Sequence, residues 1–315
     1  LDDLAAGGKP LAIAGATYLA LNLTGGLVFG FAVGWGTREA LVIAGAVGIS
    51  SSAIVTKLLV ELRRLANPET RLILGIIVVE DLFLALYLAV LSPVISGTSG
   101  LRAVRDVAIA FLFVLVVVVI ARKGSAVVGK LLATPDDELL TVSFLGVAIL
   151  TAGVAEELGV SDAIGAFLAG TIVAATIVAP RVERLVLPLR DAFAAVFFFA
   201  FGLSLDPGDA TDVLPVVVAA VMLSFVLNTL AGVAAARLIK QGPQAAARIS
   251  LTVLARGEFS LILASLAAAA GLDPRITPFV GLYVFILAIA SPVLASRPNW
   301  LARVISAINL VPATR

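Results

Sequence analysis

The chain of 315 residues is 61% hydrophobic and 14% charged, carries a formal net charge of +1, and has neither histidine nor cysteine. An apolar share this far above the roughly 45 to 50% of soluble proteins places it in a membrane, and the absent residue types exclude disulfides, cysteine nucleophiles and histidine-based metal sites or pH switches. A nearly balanced charge without a basic cluster excludes nucleic acid as a partner.

The opening stretch LDDLAAGGKP lacks the apolar core of a signal peptide and starts at Leu1 rather than methionine, so it reads as the beginning of a fragment. Ten apolar runs of spanning length follow, at 10–34, 40–59, 72–92, 103–121, 139–157, 162–180, 191–205, 213–236, 248–270 and 277–296. The Gly, Pro and charge punctuation between them (LANPET, SPVISGTSG, ATPDDE, DPGDATD, KQGPQ, LDPRITP) predicts short loops. The fold class is all-α, a polytopic membrane protein bound to the lipid bilayer.

The second run is interrupted by VGISSSA, Val47 to Ala53, with Ser50, Ser51 and Ser52 near the middle of the helix. The third, LILGIIVVEDLFLALYLAV, carries the adjacent acids Glu80 and Asp81 near its middle. A carboxylate at the bilayer centre costs roughly 2.5 to 3.5 kcal/mol on insertion scales, and such residues mark ion or proton pathways. The fifth and sixth runs end and begin with Glu156, Glu157 and Asp162, read as interfacial. Asn228 lies in the eighth, and ARGEFS, Ala255 to Ser260, interrupts the ninth with Arg256 and Glu258.

With alternating loops, seventeen Lys and Arg fall on one side and four on the other, beside an acidic loop with Asp206, Asp209 and Asp212. This bias places the first side and both termini in the cytoplasm, and leaves Arg256 inside a helix. The first and last three runs then cross in opposite senses, each triplet with an interrupted middle helix. That is the inverted-repeat design of secondary transporters. At about 1.5 Å per residue, Glu80 and Asn228 lie roughly 14 Å and Arg256 roughly 12 Å from the cytoplasmic ends of their helices, all near the midplane of a core about 30 Å thick.

A buried carboxylate holds either a proton or a small hard cation, so competition for one site exchanges the two. The structural alternatives are a buried ion pair of Glu80 or Asp81 with Arg256, serines back-bonded to their own helix, Asn228 as a packing residue, and Gly165, Gly170 and Gly202 as close-packing positions.

GISSSAIVTKLL, GIIVVEDLF, ELGVSDAIGAFLAG, FFFAFGLSLDP and LARGEFSLIL, in this order, resemble landmarks of the monovalent cation:proton antiporter superfamily, in its branch of bacterial sodium:proton antiporters and glutathione-gated (Kef-type) potassium efflux proteins. The resemblance implies two broken, crossed helices in a core domain that moves, elevator-like, against a dimerising domain. On this sequence that gives a first core triplet at 1–92, a linker helix region at 93–122, dimerisation or panel helices at 123–206, a second core triplet at 207–298 and a cytoplasmic tail at 299–315. N-terminal helices of the family pattern are then missing before Leu1.

The resemblance also makes Asp81 the shared site for H+ and Na+ or K+, with Glu80, Ser51 and Ser52 beside it and Arg256, Glu258 and Asn228 as its charge network. Glu80 replaces the usual Asp, Asn or Gln, and Asn228 stands where many relatives carry a lysine that pairs with that first acid. Glu80 then pairs with Arg256 instead, or carries a second proton. The implied activity is secondary antiport of Na+ or K+ against H+ across the cell inner membrane by a homodimer, with no cofactor and no enzymatic step. A cation channel or gated K+ efflux pathway on the same fold, and a sodium-coupled organic-anion symporter, are the alternatives.

Overall fold

The computed structural model describes residues 2–97, 101–203 and 207–311. Asp206 and Arg315, which enter the charge count, and the end of the FFFAFGLSLDP motif lie outside the described residues. Every regular element described is helical.

The chain forms two compact units, residues 1–82 with 203–315 and residues 83–202. The first begins with α1 (Asp2–Val33), followed by α2 (Thr37–Gly48) and α3 (Ser52–Glu61), which are the halves of one broken helix, and by the start of α4 (Thr70–Ile95). It resumes with α10 (Pro207–Leu238), the second broken helix α11 (Pro243–Thr252) and α12 (Glu258–Ala269), then α13 (Ile276–Ser296) and α14 (Asn299–Ala307). Each triplet is thus a long helix, a broken helix and a long helix.

α2 packs on α12 while α3 packs on α11. The first half of one broken helix therefore lies beside the second half of the other, so the two run antiparallel, as an inverted repeat requires. Small residues allow this density. A Cβ on Gly30 of α1 would come within 2.7 Å of the Ala40 Cα of α2, so only glycine permits that approach. The unit's apolar core joins Tyr18, Leu58, Ile73, Ile76, Ile249 and Leu251 to Leu301 and Ile305 of α14. Within the expected tail at 299–315, α14 docks on α11 and Trp300 stacks on Phe225 at 5.7 Å.

The second unit holds the end of α4, then α5 (Leu101–Val119), which continues through a π-helical turn (Ile120–Gly124) into α6 (Ser125–Leu132). α7 (Asp137–Glu157), α8 (Asp162–Ala174) and α9 (Ala179–Leu203) complete it. α9 starts well before the run predicted at 191–205, because Pro188 sits within the helix without ending it. Gly165 packs tightly, its Cβ position 2.5 Å from the Thr151 carbonyl, whereas Gly170 and Gly202 face open space and are not close-packing positions. Among the described residues, eight helices are long and apolar enough to cross a membrane, with two shorter apolar ones, Asp162–Ala174 and Glu258–Ala269. The protein is a multi-pass membrane protein.

Candidate functional site

The two interruptions meet. In the first, Ile49 and Ser51 are extended, and Ser51 caps α3 by accepting from the Ile54 N–H at 3.3 Å. In the second, residues 253–257 separate α11 from α12. The Ser51 N–H donates to the Ala255 carbonyl at 2.9 Å, joining one break to the other. Gly257 makes the crossing possible, since a Cβ there would lie 2.4 Å from Ser51 Oγ and 2.6 Å from its Cβ.

Four half-helix ends thus converge: the C-termini of α2 and α11, rich in free carbonyls, and the N-termini of α3 and α12, rich in free N–H groups. Arg256 serves the carbonyl ends. Fully buried, it donates through Nε and Nη2 to the Val47 carbonyl at 3.1 and 2.7 Å, and through Nη1 to the carbonyls of Val253, Leu254 and Ala255 at 3.1 to 3.3 Å. Tyr18 donates to the Val253 carbonyl, Ser260 to Ala46 and Ser291 to Leu251. A cation at helix C-termini complements their dipoles.

Of the two adjacent carboxylates, Glu80 is bonded to the first break. Glu80, 1% exposed, accepts the Ser50 N–H on Oε1 at 2.7 Å and the Ser50 hydroxyl on Oε2 at 2.6 Å. Asp81, one residue on, is partly exposed and makes no hydrogen bond or ion pair among the described residues. Its charge interacts with that of Glu258, the first residue of α12, whose Oε2 accepts from Ser51 Oγ at 3.2 Å.

Several sequence expectations change. Arg256 interacts electrostatically with Glu80 but forms no ion pair with it or with Asp81, because its donors are committed to carbonyls. Ser50, absent from the candidate residues, holds Glu80, while Ser51 faces Glu258. Ser52 begins α3, and its carbonyl accepts from Thr56 Oγ1. Asn228 does not reach Glu80; its Nδ2 donates to Ser224 O at 2.7 Å and to Asn22 Oδ1 at 3.3 Å. Asn22 Oδ1 also receives Arg256 Nη2 at 3.4 Å, and Tyr283 hydrogen bonds with Ser224 at 2.6 Å. Asn22, a lone amide inside an apolar helix, carries the same signal as Asn228.

In the second unit, Glu157 lines a cavity of about 490 Å³ with Ser92, Ser96, Arg105 and Asp106. Asp162 instead bonds locally, to Ser161 and the Ala163 N–H.

Residues 1–296 fit the family model described as sodium/hydrogen exchanger, transmembrane. The chain belongs to this exchanger family. It is 42% identical over 303 residues to the K(+)/H(+) antiporter subunit KhtU of Bacillus subtilis, covering 96% of this chain and 75% of that protein. It is 29% identical over 266 residues to the ammonium/H(+) antiporter subunit AmhT of Alkalihalophilus pseudofirmus, covering 82% of this chain and 67% of the relative. Identity is also 29% over 283 residues to the putative cation/proton antiporter YbaL of Escherichia coli, covering 85% and 50%. Both broken helices lie within the matched residues.

Proposed function

We propose that the chain exchanges a monovalent cation, K+ before Na+, for H+ by alternating access, with Asp81 as the shared site. The observation that carries this reading is the free state of Asp81 beside a fully engaged Glu80. A group that must bind and release cargo needs unoccupied oxygens, and Asp81 has them while its charge interacts with that of Glu258 at the start of α12. Protonated Asp81 gives up H+ as the cation binds its carboxylate, and the reverse exchange returns the proton. Glu258, oriented by Ser51, adds a second negative charge that favours a cation there.

The preference for K+ rests on the 42% identity to a protein named a K(+)/H(+) antiporter subunit. The unit of residues 1–82 and 203–315, which holds the site, is the moving core, and residues 83–202 supply the dimerising scaffold of a homodimer in the cell inner membrane. The excess of Lys and Arg on one set of loops supports cytoplasmic termini.

Proteoliposomes with a trapped pH-sensitive dye test the proposal. Adding K+, Na+ or NH4+ to wild type is expected to drive proton movement with K+ strongest, and Asp81→Asn is expected to abolish it. Wild-type vesicles in which none of the three cations moves protons would refute antiport.

A further inference from the structure

Glu80 and Asp81 are neighbours on one helix, yet only one is free, and this contrast carries an inference that rests on the reading of Asp81 as the exchange site. We infer that Glu80 is a positioning residue, the clasp through which α4 holds the first helix break in place, and that the exchanged charge is carried without it.

Both oxygens of Glu80 are taken by one residue, Ser50, which lies between α2 and α3. An N–H can only donate, so Oε1 is an acceptor in every protonation state. At 1% exposure the carboxyl has no route to solution unless the clasp opens, and opening leaves the Ser50 N–H buried and unpaired. The next residue, Ser51, caps α3, bonds the second break through Ala255 and orients Glu258. Fixing Ser50 therefore fixes the residue on which the cation side of the site is built.

The charges facing Glu80 agree with a static role. Arg256 of the second break influences it electrostatically but spends its donors on carbonyls, Asp81 is its neighbour on α4, and Tyr18 of α1 interacts with it while donating to Val253.

The clasp needs an acceptor and a hydroxyl partner rather than a charge. Glutamine supplies both: its Oε1 accepts the Ser50 N–H and its Nε2 donates to the Ser50 hydroxyl. Alanine supplies neither.

The test compares wild type, Glu80→Gln, Glu80→Ala and Ser50→Ala as full chains in proteoliposomes, with K+ and Na+ as probes. It reads the pH midpoint and the KM for the cation by dye, and the charge moved per turnover by solid-supported-membrane currents. The expected result for Glu80→Gln is a wild-type pH midpoint and wild-type charge per turnover, whatever its rate. Glu80→Ala is expected to raise the cation KM about tenfold or more, the scale of losing a charged hydrogen-bond partner, and Ser50→Ala by less because its N–H remains.

A midpoint displaced by a full pH unit in Glu80→Gln, or an altered charge per turnover, would show Glu80 titrating in the cycle and overturn the inference. A KM in Glu80→Gln as poor as in Glu80→Ala would do the same. Should Glu80→Ala not fold, Ser50→Ala carries the KM arm, and an unchanged KM there counts against the clasp. Wild type that exchanges neither cation defeats the antiport reading itself, a result distinct from all of these.

Discussion

A carboxylate serves an exchanger only if it can release what it holds, and at the residue scale this property separates Asp81 from Glu80. The sequence marks both as misplaced charges in an apolar helix, but which one is free depends on how α4 is rotated against the first break. Periodicity and depth do not reach that, and only the motif resemblance singles out Asp81. Ser50, Ser51 and Ser52 are likewise equal as letters and unequal in place: the first holds Glu80, the second caps α3 and holds Glu258, the third begins the helix. Gly257 gives the sharpest residue-scale prediction. Gly257→Ala places a methyl 2.4 to 2.6 Å from Ser51, so one break must shift. A loss of about 1 to 3 kcal/mol is expected from such overpacking, seen as a lowered Tm in detergent together with slower exchange. Gly170→Ala, with open space around it, is the control and should stay within about 0.5 kcal/mol of wild type.

At the scale of elements, the broken helices were legible and the unbroken ones less so. A run of three serines, and Arg-Gly-Glu inside an apolar segment, both announce where helix hydrogen bonding lapses, and the structure breaks at 49–51 and 253–257. The start of α9 and the extension of α5 into α6 were not legible, because their polar and prolyl residues are tolerated along helix faces rather than at helix ends. Arg256 binds the C-terminal ends of α2 and α11 into one structure. Arg256→Met leaves the Val47 and Leu254 carbonyls without their donor, so a loss of about 3 kcal/mol or more is expected, measured as a failure to recover monodisperse protein. Arg256→Lys, which keeps the charge but not the planar fork, should fall between.

A second tie between elements joins the turns after α1 and α12. Arg275 lies 4.9 Å over the Trp35 ring and pairs with Asp273 at 2.6 Å, while the Asp273 N–H reaches Glu39 at 3.4 Å. The Arg275 hydrogen bonds hold the Asp273 carboxyl below its ordinary range. A depressed folded pKa stabilises the protein above the unfolded value and loses that contribution as pH falls through the folded one. The Tm difference between wild type and Arg275→Ala should therefore be constant above about pH 5 and shrink below about pH 4, the ordinary aspartate range.

At the scale of the whole molecule, the question is whether the broken helices cross the membrane or turn back. α11 and α12 have 10 and 12 residues, which at about 1.5 Å per residue is too little for either half to span a core of about 30 Å alone. Joined through residues 253–257 they are long enough, and the antiparallel packing of α2 on α12 and α3 on α11 is what two broken helices that each pass through as one would show. Arg237, exposed in the last turn of α10, and Pro274, exposed before α13, then lie on opposite faces. The chain has no cysteine, so Arg237→Cys and Pro274→Cys each give a single label site. A membrane-impermeant maleimide applied to intact cells is expected to modify Pro274→Cys alone, and Arg237→Cys only after permeabilisation, as the excess of Lys and Arg on one set of loops predicts. Modification of both from outside, or of neither, would mean that α11 and α12 form a re-entrant hairpin. The opposed orientation of the two triplets would then be lost, and with it the support for the proposed exchange at Asp81 near the midplane.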